Sequence, residues 1–297
     1  MKLSLVILFL SVITTAIRGF SFSELSSDPS VDEENRIFGG STAEIDKYLY
    51  IASLHSNGVK SKRFCSGTLI ASDLIMTAGH CLEHPMYDVY VSLGSTNNMG
   101  GGSLKAETIH VRQAFRHPLF NLASNFSTVS HDMALLKLER PSKIEPARLS
   151  AADDSDNKPG SMAKVLGWGL INNESYSDIL QSVDIKLITN KECSKIFAEG
   201  KFDTIVDDSV ICAGIGDGKD ACTGDSGGPL LVNGILVGIV SGGPANCGAF
   251  PGTYARVSTA LDFINDIIAG KSIGDISKVL TAGPSAHFQS LFGSNEW

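Results

Sequence analysis

The chain has 297 residues, 43% of them hydrophobic, and a formal net charge of −8. That is enough apolar material for one large or two modest domains. The acidic balance argues against nucleic acid or an anionic membrane surface as a partner.

In chain order, Met1-Lys2 and the mainly apolar run Leu3–Ile17 have the pattern of a secretory signal peptide over residues 1–19 and fall short of a membrane span. Residues 20–36 are rich in Ser, Asp and Glu, as in a disordered pro-segment, and run into Arg36-Ile37-Phe38-Gly39-Gly40. Strand-like runs follow at Leu69-Ile70, Val89–Leu93, Ala134–Leu138 and Ala163–Trp168. Val183, Ile185 and Leu187 alternate with Asp184 and Lys186, the pattern of a half-buried strand. Leu230–Val232 and Ile235–Val237 flank Asn233-Gly234, which predicts a tight hairpin. Ser258 is placed to cap a helix with Leu261, Ile264, Ile267 and Ile268 on its apolar face and Gly270 as its stop. Residues 271–297 read as a flexible C-terminal extension. Six cysteines follow the signal, an even number that in a secreted chain favours disulfides, with the pairing left open. There is no CxxC pair and no His/Cys group of zinc-site spacing, so neither a metal nor a cofactor is expected.

Three motifs carry chemistry. Thr77-Ala78-Gly79-His80-Cys81 follows the apolar run Leu74-Ile75-Met76. Ser130-His131-Asp132 opens the strand Ala134–Leu138. Cys222-Thr223-Gly224-Asp225-Ser226-Gly227-Gly228-Pro229 sets a serine among glycines behind an acid. A serine hydroxyl is a weak nucleophile unless a base removes its proton and donors stabilise the charge its attack creates. Glycine lets the backbone turn sharply enough to aim N–H groups at that charge.

The order His, Asp, Ser, with these flanking patterns, resembles the trypsin/chymotrypsin family of serine proteases from about residue 37 to 270. The resemblance implies an all-β fold of two packed antiparallel six-stranded barrels, about 37–150 and 151–257, with a C-terminal helix and an active site between the barrels. It implies Ser226 as nucleophile, His80 as base, Asp132 as its orienter, and the Gly224 and Ser226 N–H groups as oxyanion hole. Asp220 matches the pocket floor of members that cut after Arg or Lys. Gly243 and Gly252 match positions that keep the pocket walls open, and Ser241 the position whose hydroxyl touches the triad acid. Zymogen cleavage between Arg36 and Ile37 would free an ammonium to pair with Asp225. The disulfides implied are Cys65–Cys81, Cys193–Cys212 and Cys222–Cys247, each worth about 2–4 kcal/mol. A secreted monomer is expected, acting on protein or peptide substrates with Arg or Lys and open to protein protease inhibitors.

Three departures stand out. Gly79 replaces the usual alanine, Gly242 replaces the tryptophan flanking the pocket, and the loop after Leu93 lacks a pair of acids for calcium, Glu107 standing alone. Asn125 and Asn173 head Asn-x-Ser glycan acceptor sequences. The family also holds secreted homologues that bind proteins without cutting them, glucanases among their targets. Such binders usually lack part of the triad, which this chain keeps. An esterase of the α/β-hydrolase type would place its histidine last, and His80 comes first.

Overall fold

The computed structural model describes residues 39–83, 86–122, 129–172 and 174–280. The expected signal peptide, the pro-segment, Arg36, Ile37, Asn125 and Asn173 lie outside these residues.

The first barrel is built from β1 (Ile51–His55), β2 (Arg63–Ala71), β3 (Leu74–Thr77), β4 (Tyr90–Leu93), β5 (Glu107–Arg116) and β6 (Ala134–Leu138), closed in the order β1-β2-β3-β6-β5-β4. The second is built from β7 (Met162–Gly167), β8 (Gln181–Ile188), β9 (Val210–Ala213), β10 (Pro229–Val232), β11 (Ile235–Gly242) and β12 (Gly252–Arg256). Its strands follow the order β8-β7-β10-β11-β12-β9, and the pairing of β8 with β9 closes the ring. All pairings within the two rings are antiparallel, and because each ring closes on itself neither barrel has a free edge. The two antiparallel six-stranded barrels are the all-β architecture expected from the sequence.

Local sequence explains the strands. On β8, Val183, Ile185 and Leu187 are buried while Asp184 and Lys186 face solvent. Asn233 and Gly234 both take positive φ, 51° and 77°, which is the type I′ turn that joins β10 to β11. The three cysteine pairs are those the resemblance implied.

Two elements depart from the sequence reading. A helix, α1 (Asn190–Glu199), follows β8. Its start is a capping box: Glu192 N–H donates to Thr189 Oγ1 at 3.1 Å, and Thr189 N–H donates to Glu192 Oε2 at 3.0 Å. The C-terminal helix, α2 (Leu261–Ile268), is present, but Ser258 does not cap it. Ser258 lies in a preceding 3-10 turn and its hydroxyl donates to Asp154 instead. Phe263, Ile264 and Ile267 form the buried face of α2, and Ile268 is half exposed.

Residues 271–280 do not follow the expectation of a flexible tail. Arg116 N–H donates to Gly274 O, Ile276 N–H to Ala114 O and Met86 N–H to Val279 O, each at 2.9 Å. Leu280 is buried in the core of the first barrel, with Ile276 and Val279 packed on it. A chain cut after Leu280 should keep its Tm within about 2 °C of the full chain, and one cut after Gly270 should lose about 5–12 °C. Losing one buried and two partly buried side chains costs roughly 2–4 kcal/mol, and a domain of this size shifts about 2–4 °C per kcal/mol. Calorimetry on the two truncations decides it.

Candidate active site

β3 ends in a short 3-10 turn, Gly79–Leu82, that carries His80. β6 is entered from His131, whose φ of 50° swings Asp132 inward to 1% exposure. Asp132 Oδ1 accepts the His80 backbone N–H at 2.8 Å, and Oδ2 lies 2.8 Å from His80 Nδ1. Ser241 Oγ donates to the same Oδ2 at 2.5 Å, reaching across from β11 of the second barrel. A carboxylate only accepts, so His80 carries its proton on Nδ1 and leaves Nε2 free to accept another. Burial pulls the His80 pKa down, but the hydrogen bond to Asp132 and the charges of Asp132 and Glu83 outweigh it, and the net shift is upward. Gly79 is explained here: a Cβ at this position would lie 2.8 Å from the Phe120 ring and 3.2 Å from Asp132 Oδ1. Phe120 fills the space that an alanine would take.

Ser226 sits in a turn gripped from several sides. Ser66 N–H, on β2, donates to Ser226 O at 2.8 Å, and the disulfide of the adjacent Cys65 to Cys81 ties that strand to the His80 turn. Thr223 O accepts Leu170 N–H and Asp225 O accepts Gly228 N–H, both at 2.9 Å. In a trans peptide the N–H points opposite to its C=O. These two bonds therefore turn the N–H groups of Gly224 and Ser226 away from the loop's own scaffold. Among the described residues, neither group donates a hydrogen bond. Gly224 holds φ at 95°, a conformation that favours glycine. Among the described contacts, Ser226 Oγ makes no hydrogen bond to His80; such bonds are often long before substrate arrives.

Asp225 is wholly buried. Burial raises its pKa, opposed by the Cys222 N–H, the Arg63 charge and the Gly169 N–H. Gly169 N–H donates to Oδ1 at 2.7 Å and Cys222 N–H to Oδ2 at 3.0 Å. Any Cβ on Gly167 would lie 2.1 Å from Asp225 Oδ1, and one on Gly169 would lie 2.5 Å from its carboxyl carbon. These two glycines, which the sequence reading passed over, are the cradle for the acid. The only signal for them is their placement on either side of Trp168.

A cavity of about 210 Å³ opens beside Ser226 and is lined by Asp220, Gly224, Ser241 and Gly243, among others. Asp220 is 4% exposed; burial pushes its pKa up to about 7, against weaker pulls from the Gly248 and Ala221 N–H groups. Its Oδ2 accepts Gly248 N–H at 3.4 Å, while Oδ1 and the nearby buried Tyr254 hydroxyl have no hydrogen-bond partner among the described residues. A Cβ on Gly252 would lie 2.6 Å from Asp220 Oδ1, so glycine there makes room for the carboxylate itself. A buried carboxylate oxygen left unpaired at a cavity is suited to a cationic guest. The Cys222–Cys247 disulfide joins two residues of the cavity lining. A second cavity, of about 330 Å³, shares Gly242, Gly243, Pro244 and Ala245 with the first and extends to Phe202 and Ile205.

The structure thus joins His80, Asp132 and Ser241 by hydrogen bonds, lines one cavity with Asp220, Gly224, Ser226, Ser241 and Gly243, sets Gly252 against Asp220, and buries Asp225. The chain matches the trypsin family over residues 37–264. Glucanase inhibitor protein 2 of Phytophthora sojae is 34% identical over 271 residues, covering 88% of this chain and 89% of its own. Trypsin 5G1 of Aedes aegypti is 35% identical over 239 residues, covering 78% of this chain and 85% of its own. Among solved structures, neuropsin, described as a serine protease expressed in the limbic system of mouse brain, aligns with a TM-score of 0.66 at 27% identity. It spans 77% of this chain and 98% of its own.

Proposed function

This chain belongs to the trypsin family of serine proteases, and from that premise we propose that it is a secreted endopeptidase that hydrolyses peptide bonds after Arg or Lys. The observation that carries the reading is the buried, unpaired carboxylate oxygen of Asp220 in the cavity beside Ser226. A substrate Arg or Lys entering that cavity supplies the missing partner and brings the following carbonyl to Ser226 Oγ. Ser226 Oγ attacks the carbonyl carbon and its proton passes to His80 Nε2. Asp132 holds the ring by Nδ1–H and stabilises the imidazolium, and the negative oxygen takes the free N–H groups of Gly224 and Ser226. His80 then protonates the leaving amine, an acyl-enzyme remains on Ser226, and a water deprotonated by His80 releases the acid. In this reading residues 1–19 direct secretion, and cleavage between Arg36 and Ile37 converts a zymogen. The test is turnover of Arg, Lys and Phe chromogenic peptides by a chain starting at Ile37. Cleavage of Arg and Lys peptides alone is the expected outcome, and cleavage of Phe peptides alone removes the Asp220 assignment.

A second reading is a protein-binding inhibitor that uses the same cleft without cutting. Its support is the likeness to proteins named glucanase inhibitors, at 34–36% identity for three of them. Gly242 bears on both readings. Among the described residues, a Cβ there would meet only Thr253 Oγ1, at 3.8 Å, so a large side chain has room to start. Gly242→Trp should add an aromatic wall between the two cavities. It should lower KM about 3- to 10-fold for peptides extended on the N-terminal side of the cut, and leave single-residue substrates unchanged. Equal effects on both substrate lengths would show that Gly242 faces no substrate.

A further inference from the structure

The Ser226 turn shows two of its carbonyls to the first barrel, and one strand holds both. Ser66 on β2 takes Ser226 O through its backbone N–H at 2.8 Å. Three residues earlier on that strand, Arg63 reaches the same turn. Its Nη1 donates to Gly224 O and to Ser66 Oγ, the latter at 3.3 Å, and its Nη2 donates to Trp168 O at 3.0 Å. The guanidinium carbon lies 5.6 Å from the Trp168 ring centroid, within reach of a cation–π contact. The fork therefore joins the first barrel to two separate segments of the second, the Ser226 turn and the segment that follows β7. The placement is costly. Burial lowers the Arg63 pKa against the opposing charges of Asp225 and Tyr176, and Nε is buried with no hydrogen-bond partner among the described residues. Nothing in the triad or the cavity uses this group.

Gly224 has no Cβ, so its own φ and ψ are little restrained by sterics. The peptide plane before it is held by Leu170 N–H on Thr223 O, and the plane after it by Arg63 on Gly224 O. Peptide units are planar, so pinning the units on both sides fixes φ and ψ of the residue between them. We propose that Arg63 is a positioning residue of the oxyanion site: by holding the Gly224 carbonyl it fixes the direction in which the Gly224 N–H meets the charge formed on the substrate. Lysine has three donors but all on one nitrogen at the end of a flexible stem, so it does not reproduce the fixed planar spacing with which Nη1 holds Gly224 O and Nη2 holds Trp168 O. The inference rests on the protease reading for its kinetic consequence and on the turn geometry alone for its structural one.

Two measurements on the chain starting at Ile37 test it, with Arg63→Ala and Arg63→Lys beside the parent. Loss of one oxyanion donor typically lowers the rate about 100- to 1000-fold, so misaiming one should lower kcat about 10- to 100-fold. KM for an Arg peptide and the affinity for benzamidinium should stay within about threefold, because the Asp220 cavity is untouched. Lysine should recover part of kcat. Hydrogen exchange in peptides covering residues 222–228 should quicken at least about tenfold in Arg63→Ala, and strands of the first barrel away from Arg63 should keep their rates. A kcat within threefold of the parent together with unchanged exchange overturns the proposal. So does a kcat loss matched by an equal rise in KM and in the benzamidinium constant, which marks general loosening. If the parent shows no Ser226-dependent turnover, the protease reading fails, and the exchange result alone still decides whether Arg63 holds the turn.

Discussion

Ser226→Ala, made in a chain that starts at Ile37, is expected to lower kcat on an Arg peptide by about 10⁵- to 10⁶-fold, the scale of triad removal in other serine proteases. The substitution deletes one oxygen from a partly exposed side chain whose hydroxyl makes no hydrogen bond among the described residues, so Tm should stay within about 2 °C. Benzamidinium should bind as tightly as before, since the Asp220 cavity is unchanged. His80→Ala should cost a similar factor, and the double variant should cost little more than either, because the two groups act in one step. The small remaining rate would come from the Gly224 and Ser226 N–H groups, which the serine-to-alanine change leaves in place. A folded Ser226→Ala that retains even one-hundredth of parental kcat sinks the nucleophile assignment. A parent that is itself inert, folded and still able to bind benzamidinium would move the weight to the inhibitor reading.

Asp220 should produce the second large effect. Asp220→Ser removes the anion that a substrate Arg or Lys would meet in a buried site, where breaking such a pair costs roughly 3–5 kcal/mol. The expected loss in kcat/KM on Arg peptides is about 10²- to 10⁴-fold, with peptides of neutral side chain affected less than about threefold. The pH dependence follows from the same carboxyl. With its pKa raised to about 7, the empty cavity holds a neutral Asp220 below that pH and an ion above it. His80, raised above its ordinary 6.5 by Asp132, loses its role as a base when protonated. For an Arg peptide, log kcat/KM should therefore approach a slope of 2 on the acid side, one unit from each group. For a neutral ester, or in Asp220→Ser, the slope should be 1. A slope of 1 for all three would mean that Asp220 does not titrate where substrate binds. Stability carries the opposite sign. The folded protein keeps the Asp220 proton between the ordinary 3.8 and about 7, where the unfolded chain has released it. This group's contribution should thus fall as pH rises through that window. Benzamidinium, by restoring a partner to the ion, should flatten the trend.

Gly242 and Arg63 mark how far a local reading of the chain reaches. Gly242 was visible in the sequence as a departure, because it occupies a motif position where a tryptophan is usual. Arg63 was invisible, standing two residues before Cys65 with nothing in its neighbours to set it apart. Its role exists only because β2 passes the Ser226 turn, 161 residues further along the chain. Thr189 and Glu192, by contrast, were a legible helix start that the strand-dominated reading passed over. Ser258 reversed the error: a good cap by composition, it was taken by Asp154, 104 residues away.

What this chain determined by itself is what depends on near neighbours. Alternation on β8, the Asn233-Gly234 turn, and the order and flanks of His80, Asp132 and Ser226 all follow from side chains within a few residues of one another. Tertiary structure decided the rest. It set Gly167 and Gly169 against Asp225, put Phe120 where a Gly79 methyl would go, left Asp220 Oδ1 unpaired, and brought residues 271–280 back to the first barrel. The physical reason is burial. Desolvation and close contact act between groups that meet only after the barrels close, and no window of sequence holds both partners at once.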